Sequence, residues 1–210
     1  MANVQLHPGQ SLIIKDLFIE TKIRNAVLCA SRGFGKSYLA ATAAVLAVQE
    51  LMSLGDDVPN KNVALIAPTY QQCVDIYFPL IAHVFGMEHY ADKTSQHAGT
   101  FWFPGNVVLK LWSYEAAERL RGSGQYFVVC DEVTTWSGAG SSLKRSWESV
   151  IQPCITTRWS EDRARDYGSK PGRSLIISTP HGHDYFYDMF NFEQVDDHWN
   201  SYHFDYTQSP

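Results

Sequence analysis

The sequence predicts a single α/β domain over residues 1–210, with a mainly parallel sheet and helices on both of its faces. Four short apolar segments, at residues 26–30, 62–67, 126–131 and 174–178, have the length and composition of buried strands. Segments with helical periodicity separate them, which is the pattern of a parallel sheet. Polar or charged residues follow three of the four strands. Ligands of such sheets bind at the carboxyl ends of the strands, so we expect the functional site there.

Local composition predicts the other elements in chain order. Apolar residues at helical spacing predict a first helix over residues 12–23, after the turn Pro8-Gly9. The turn Pro104-Gly105-Asn106 divides residues 99–112 into two strands. The remaining predicted helices cover residues 37–54, 71–85, 143–155 and 185–190, and a Gly/Ser-rich loop covers residues 137–142. The polar and basic segment 156–173 has no clean period and is predicted to be a lid-like or mobile part of the domain.

Composition indicates a soluble globular protein that is not secreted. Of the 210 residues, 45% are hydrophobic and 19% are charged, which is typical of a folded domain. No apolar run reaches the length of a membrane span and the N-terminus lacks a signal-peptide pattern, so we expect a cytoplasmic protein without a membrane partner. The four cysteines have no Cys-x-x-Cys spacing, which predicts buried thiols rather than disulfides or zinc ligands.

The charge is distributed unevenly along the chain. The formal net charge is −5, but all 17 Lys and Arg residues lie at or before Arg173, together with 16 of the 22 acidic residues. The segment from Ser174 to Pro210 has the other six acidic residues and no Lys or Arg. Because residues 1–173 are nearly neutral as a whole, any binding of DNA must depend on local groups of basic residues. The basic residues between 158 and 173 are our candidate for a segment that faces DNA or a neighbouring subunit.

A glycine-rich loop follows the first predicted strand. It reads Ala30-Ser31-Arg32-Gly33-Phe34-Gly35-Lys36-Ser37 and leads directly into the predicted helix 37–54. A strand, a loop with Gly-Lys-Ser and a helix form the arrangement that wraps nucleotide phosphates. Gly35 lets backbone N–H groups approach the phosphates, Lys36 would reach the β- and γ-phosphates, and Ser37 would bind Mg²⁺. The structural alternative is an ordinary turn between a strand and a helix.

Two adjacent acids, Asp131 and Glu132, end a later predicted strand. A carboxylate at a strand end can hold Mg²⁺, a role that we assign to Asp131. Glu132 is placed to orient or deprotonate an attacking water, which favours hydrolysis over transfer to a substrate hydroxyl. The alternative is a pair of acids that only caps the strand.

Three weaker signals accompany these motifs. Gln10 has a donor and an acceptor that suit the edge of adenine, while a surface turn explains Pro8-Gly9-Gln10 equally well. Ser178-Thr179-Pro180 places two hydroxyls near the expected γ-phosphate, or is a strand stopped by proline. Arg32 in the loop, and Arg119 and Arg121 ahead of the acid-bearing strand, could stabilise charge as the phosphate bond breaks, in cis or from a neighbouring subunit. The alternative for Arg119 and Arg121 is a solvated surface position, which is the weaker interpretation for Arg121.

Taken together, these motifs resemble the ATPase domain of the large terminase subunit of tailed bacteriophages, the motor that packages DNA into phage heads. The resemblance covers nearly the whole chain and depends on the order of six segments, at residues 6–10, 31–37, 67–72, 120–122, 128–132 and 178–180. Ala30 in place of the usual first glycine, and Arg32 inside the loop, are features of that family's phosphate loop. The resemblance implies a P-loop NTPase fold of the ASCE or RecA-like type.

The resemblance also implies a role for each matching residue. Glu132 would be the catalytic carboxylate, and Arg32 and Arg121 would stabilise charge, with the one that acts in trans left open. Ser37 and Asp131 would hold Mg²⁺. The nucleotide contacts would come from Gln10 at adenine, from Ser31, Arg32, Gly33, Phe34, Gly35, Lys36 and Ser37 at the phosphates, and from Ser178 and Thr179, which would couple hydrolysis to movement.

The same resemblance implies an activity and partners. The implied activity is hydrolysis of ATP, with Mg²⁺, that powers translocation of double-stranded viral DNA into a procapsid. The implied partners are DNA, further copies of the chain in a five-fold ring on the portal protein, and the small terminase subunit. The implied location is the cytoplasm of the bacterial host and, transiently, the portal vertex. Family members usually continue into a nuclease domain, for which too few residues follow the motor core, so we expect no DNA cleavage by this chain.

Two other functions remain open at the level of the sequence. A helicase-like P-loop ATPase domain would share the phosphate loop and the acidic pair Asp131-Glu132, but it would need a second motor domain. A nucleotide-dependent assembly module would bind ATP without turnover, and an intact Glu132 argues against it.

Overall fold

The computed structural model of the protein describes residues 5–19, 23–55, 58–138, 141–156, 172–205 and 207. Almost all of the segment 156–173, which we predicted to be lid-like or mobile and to face DNA or a neighbour, lies outside these residues. The described residues form an eight-stranded, mostly parallel sheet with helices packed on both faces. The predicted α/β class is therefore confirmed.

The described residues contain ten strands, numbered here in chain order. They are β1 (Asn25–Ala30), β2 (Asn62–Ala67), β3 (Lys93–Ser95), β4 (Thr100–Phe103), β5 (Val107–Ser113), β6 (Phe127–Cys130), β7 (Ser137–Gly138), β8 (Ser141–Ser142), β9 (Arg173–Ser178) and β10 (Trp199–Phe204). β7 pairs with β8, and the other eight form the main sheet in the order β10-β1-β9-β6-β2-β5-β4-β3. The strands from β10 to β5 pair in parallel, whereas β4 is antiparallel to both β5 and β3. Parallel strands cannot be joined by tight hairpins, so the chain returns to the start of each new strand through a longer connection. The helices that cover the sheet belong to these connections.

Alternation along the strands directs side chains into two separate cores. On β1, Leu28 packs into one core, and Val27 and Cys29 pack into the other. The first core lies against α1 (Pro8–Phe18), α2 (Lys36–Leu54) and α3 (residues 70–84), and the second against α4 (residues 143–156) and α5 (Tyr185–Phe190). Burial on both faces explains why the central strands read as continuous apolar runs.

The first helix and the Gly/Ser-rich segment differ from the prediction. α1 begins at Pro8 and ends at Phe18, instead of covering residues 12–23, because proline at its first turn and a capping contact fix an earlier start. In that contact the backbone N–H of His7 donates to Gln10 Oε1 at 3.3 Å. The predicted loop at residues 137–142 contains the paired two-residue strands β7 and β8. The other predicted helices agree with the structure to within one residue at each end.

The sequence did not predict the edge strand β10. It pairs in parallel with β1 over six residues, from Trp199 beside Asn25 to Phe204 beside Ala30. Only Trp199 and Tyr202 are buried in it, so the strand lacks the continuous apolar run by which the central strands were recognised. The edge position explains the mixed composition, since one side of the strand has no neighbour in the sheet.

Helix α2 corrects one expectation from composition. By length and apolar content it could cross a membrane, although we expected no apolar run of that length. In the fold this helix packs against the sheet in the first core, and 56% of its most apolar stretch is buried inside the protein. A buried core helix that is apolar on most of its surface has the same length and apolar content as a membrane span. The composition of α2 is therefore only weak evidence for one.

Candidate nucleotide site

Three neighbouring strands bring the predicted site residues to one edge of the sheet. β1 lies beside β9 and β9 beside β6, all in parallel. The phosphate loop follows β1, Asp131 and Glu132 follow β6, and Ser178 ends β9. Residues that are far apart in the sequence therefore meet at adjacent carboxyl ends, where parallel sheets bind their ligands.

The loop between β1 and α2 has glycine where its backbone is left-handed. Gly33 and Gly35 have φ angles of +91° and +80°. A Cβ atom added at Gly33 would meet nothing within 4 Å, so this part of the loop is open. Phe34 between them is completely buried, and its ring stacks on that of Phe204 with centroids 4.7 Å apart. Phe34 thus anchors the loop through its side chain, and any nucleotide contact from this residue must use its backbone.

The ammonium group of Lys36 lies inside the loop, close to the predicted catalytic carboxylate. It donates to the carbonyl oxygens of Ala30 and Ser31 at 3.1 and 3.2 Å, and it lies 3.5 Å from Oε1 of Glu132. Lys36 is buried, so these oxygens compensate for the lost hydration of its charge. The structure therefore brings Lys36 and Glu132 together.

Asp131 is a buried carboxylate with one oxygen unused. Its Oδ2 accepts a hydrogen bond from the Tyr77 hydroxyl, whereas its Oδ1 has no partner among the described residues. Burial raises the pKa of Asp131 to about 6, and the hydrogen bond from Tyr77 opposes this rise. A buried carboxylate oxygen without a partner calls for an additional ligand, and carboxylate oxygen is what Mg²⁺ prefers. Asp131 therefore fits the magnesium role.

Ser37, the second predicted magnesium ligand, belongs to the same cluster. Its side chain lies near the hydroxyl of Tyr77, which donates to Asp131. Within the described part of the chain, no three His, Cys, Asp or Glu side chains are grouped so that they could hold a metal alone. One hydroxyl and one carboxylate suit a Mg²⁺ that takes its other ligands from phosphate and water. The donor set therefore fits Mg²⁺ bound together with a nucleotide.

Glu132 has a strained backbone, and both of its carboxylate oxygens have partners. Its φ of +49° is rare for a residue other than glycine. The turn is held by Thr135, whose N–H and hydroxyl donate to the Glu132 carbonyl at 2.9 and 2.7 Å. Thr179 Oγ1 lies 3.4 Å from Oε2, and Lys36 is near Oε1. Strain of this kind clusters at functional sites, and here it accompanies a carboxylate that faces the phosphate loop.

Ser178 and Thr179 make different contacts. Ser178 is fully buried, and its hydroxyl lies 2.6 Å from that of Thr134 and accepts from the Thr134 N–H at 3.2 Å. It therefore ties β9 to the turn after Glu132, while Thr179 reaches Glu132 itself. We did not predict a role for Thr134, because no sequence pattern marks a contact that exists only where β6 and β9 lie side by side.

The amide of Gln10 is already engaged by the phosphate loop. Its Nε2 donates to the carbonyl oxygens of Phe34 and Gly35, both at 3.2 Å, and its Oε1 accepts from His7. Gln10 is only 4% exposed. The structure thus places Gln10 as a support for the loop, and its predicted contact with adenine stays a prediction.

The two predicted arginines have different positions relative to the site. Arg32 is exposed in the phosphate loop. Arg121 precedes β6, whereas Glu132 follows it, so the length of that strand separates them. The exposed guanidinium of Arg121 pairs with Glu118 at 2.5 Å and donates to the Ser149 carbonyl at 3.0 Å. Arg121 is therefore not brought to the nucleotide site of its own chain.

Comparison with solved structures places this arrangement among known folds. The large terminase ATPase domain of Thermus phage P74-26 matches with a TM-score of 0.65 and 22% identity over 97% of this chain and 82% of that chain. The chain has the fold of a large terminase ATPase domain. The large terminase of bacteriophage HK97 matches with a TM-score of 0.63 and 18% identity over 95% of this chain and 39% of its own. No family model matches the sequence, and no curated protein matches it significantly.

The terminase ATPase fold is a P-loop NTPase fold, which confirms the predicted class. The large terminase of a thermophilic bacteriophage, solved in complex with ADP, matches with a TM-score of 0.62 and 13% identity over 98% of this chain and 46% of that one. The chain spans less than half the length of this terminase and of the HK97 terminase, so the activities of those complete proteins do not follow from the likeness.

Proposed function

We propose that the protein is the ATP-hydrolysing motor domain of a phage large terminase subunit and powers translocation of double-stranded DNA into a procapsid. The supporting observation is the convergence of Lys36, Asp131 and Glu132 at one edge of a sheet that has the terminase ATPase fold. The proposed substrate is ATP, the metal is Mg²⁺, and the location is the cytoplasm of the bacterial host.

Each group in this cluster has a task in the proposed reaction. Lys36 would exchange the carbonyl oxygens of Ala30 and Ser31 for phosphate oxygens, which carry more negative charge. That exchange would weaken the contact of Lys36 with Glu132, so the carboxylate becomes free to orient and deprotonate water. Asp131 and Ser37 would hold Mg²⁺, which supplies positive charge at the phosphates.

The end of β9 offers a route from this chemistry to movement. Thr179 contacts Glu132, and Ser178 contacts the turn that follows Glu132. A change in the position of Glu132 would therefore alter hydrogen bonds at both residues. In the proposed motor this change would be passed to double-stranded DNA by a ring of subunits that also contacts the portal protein and the small terminase subunit.

Glu132→Gln provides the main test of hydrolysis. We expect the variant to bind ATP as the wild type does but to release phosphate at least about 100-fold more slowly, because it lacks the general base. Lys36→Ala should weaken both binding and hydrolysis. Binding of a fluorescent nucleotide and release of phosphate measure the two effects, and Glu115→Gln, at an exposed glutamate outside the cluster, is the matched control.

The outcome also separates the proposal from its alternatives. If the wild type binds ATP but never releases phosphate, even when it is concentrated and mixed with DNA, the motor proposal is wrong and an assembly module is favoured. ATP-dependent strand separation without packaging would favour the helicase-like alternative. Incubation with plasmid DNA and Mg²⁺ or Mn²⁺ tests the expectation that this chain does not cleave DNA.

A further inference from the structure

A buried tyrosine lies beside both predicted magnesium ligands. The hydroxyl of Tyr77 donates to Oδ2 of Asp131 and lies near the side chain of Ser37. Only 1% of Tyr77 is exposed. Ser37 lies in the first turn of α2 and Asp131 follows β6, so Tyr77 lies where two elements that would each supply one ligand come together.

The helix that carries Tyr77 is held in position at its start. Thr69 accepts from the backbone N–H of Gln72 at 3.2 Å, and Gln72 Oε1 accepts from the backbone N–H of Thr69 at 3.1 Å, a reciprocal cap. These residues belong to the segment 67–72, one of the six that carry the terminase resemblance. The cap thus fixes the start of the helix that delivers Tyr77.

The course of α3 also has an irregularity next to the site. Residues Cys73–Tyr77 form a π-helical turn, in which the backbone N–H of Phe78 donates to the carbonyl of Cys73. Such turns are often found at functional sites, but α3 has a second one at Leu80–Val84, so the turn alone does not mark the site. Here the turn ends at the residue whose hydroxyl reaches Asp131.

We propose that Tyr77 is a positioning residue of the magnesium site: its hydroxyl holds Asp131 through Oδ2, so that Oδ1 faces the metal. This inference rests on the proposed function. Asp131 could rotate about its side chain if Oδ2 had no partner, and the desolvated Oδ1 would then lose its defined direction. Tyr77 acts through Asp131 and not on the nucleotide.

Tyr77→Phe tests the inference because it removes only the hydroxyl. We expect the affinity for ADP with Mg²⁺ to fall about tenfold, as expected for loss of one hydrogen bond to a charged group. The affinity for ADP with EDTA should stay within about twofold of the wild type. The concentration of Mg²⁺ that half-saturates the nucleotide-dependent signal should rise correspondingly. Titrations of a fluorescent ADP analogue with and without Mg²⁺ measure all three.

Tyr202→Phe is a closely matched control. The hydroxyl of Tyr202 also donates to a carboxylate, that of Asp16, and also accepts from a neighbour, Asn200. It is buried as well but lies on β10 against α1, outside the nucleotide site. The control should lose stability in the same way as Tyr77→Phe, without any change in the dependence on Mg²⁺.

The outcomes distinguish this inference from the proposed function. If the wild type binds no nucleotide, the proposed function is wrong and the inference falls with it. If the wild type binds ADP more tightly with Mg²⁺ and Tyr77→Phe does so to the same degree, the inference is wrong while the proposed function stands. If Tyr77→Phe weakens the binding of ADP by the same factor with Mg²⁺ and with EDTA, the role of Tyr77 is merely structural, and the inference is again wrong.

Discussion

At the scale of single residues, the candidate site contains a carboxylate whose ionised form is destabilised by burial. Asp131 is buried with an unpartnered oxygen, and burial raises its pKa from 3.8 to about 6. The folded protein therefore binds a proton at this carboxyl more strongly than the unfolded chain does. It follows that the folded state loses stability as the pH rises from about 4 through about 6, unless a metal compensates for the charge.

Asp131→Asn tests this cost of a buried charge. In EDTA, the stability of the wild type relative to the variant should fall by on the order of 2 kcal/mol between pH 4 and pH 7, because a shift of one pKa unit is about 1.4 kcal/mol. Urea unfolding at the two pH values measures the difference, and other titrating groups cancel between the proteins. A difference that does not change with pH would contradict the assignment. With Mg²⁺ and ADP, ligand binding should instead favour the wild type.

At the scale of elements, the phosphate loop depends on a contact with α1. Gly35 is the N-cap of α2 with φ +80°, and a Cβ added there would lie 2.7 Å from Nε2 of Gln10. Gly33 has a similar φ of +91°, but its added Cβ would meet nothing within 4 Å. Both glycines satisfy a backbone requirement, and Gly35 alone also satisfies a packing requirement.

Gly35→Ala should therefore destabilise the protein more than Gly33→Ala does. Each variant loses roughly 1 kcal/mol from the left-handed backbone, and Gly35→Ala must also displace Gln10 from the loop. Combining Gly35→Ala with Gln10→Ala should cost less than the sum of the single changes, since the crowding partner is gone. Chemical unfolding of the four variants measures this. Equal losses for Gly33→Ala and Gly35→Ala would show that crowding by Gln10 has no effect.

At the scale of the whole molecule, the carboxyl and amino ends of the parallel strands carry different groups of residues. The carboxyl edge holds the candidate nucleotide site, whereas Arg121 precedes β6 in the chain. At the amino end of β9, Arg173 is completely buried and ties together the carbonyl of Leu17, the carboxylate of Glu50 and the hydroxyl of Tyr126. This cluster ties the end of α1 to α2 and to the sheet. For Arg121 we propose a role in hydrolysis at the site of a neighbouring subunit.

Arg121→Ala tests that arrangement. The variant should bind ATP normally but lose the concentration-dependent part of ATP hydrolysis, because an exposed arginine contributes little to the fold. Mixing it with Glu132→Gln subunits, which retain Arg121, should restore activity at the intact sites. Arg119→Ala, at an exposed arginine two residues earlier, is the control. Full activity of Arg121→Ala alone would remove the proposed role in trans.

Most of the central fold was predictable from local patterns. The strand bounds 62–67 and the helix bounds 185–190 agree with the structure, because a short continuous apolar run indicates a buried strand and helical spacing of apolar residues indicates a helix. The turn at Gly105 and Asn106 was predictable from residues that accept a positive φ. By contrast, β10 and the early start of α1 depend on tertiary pairing and capping, which have weak local signals.

The residues of the predicted site also fall into those that local sequence identifies and those that only the tertiary structure identifies. Residue types and spacing were enough to single out Lys36, Ser37, Asp131 and Glu132, since phosphate and metal chemistry restricts which side chains can serve. The engagement of Gln10 with the loop and of Tyr77 with Asp131 could not be read from the sequence. These contacts arise because the strand order brings β1, β6 and β9 together and α3 onto their edge. Chemical identity is a local property of the chain, whereas hydrogen-bond partners across separate elements depend on how those elements pack.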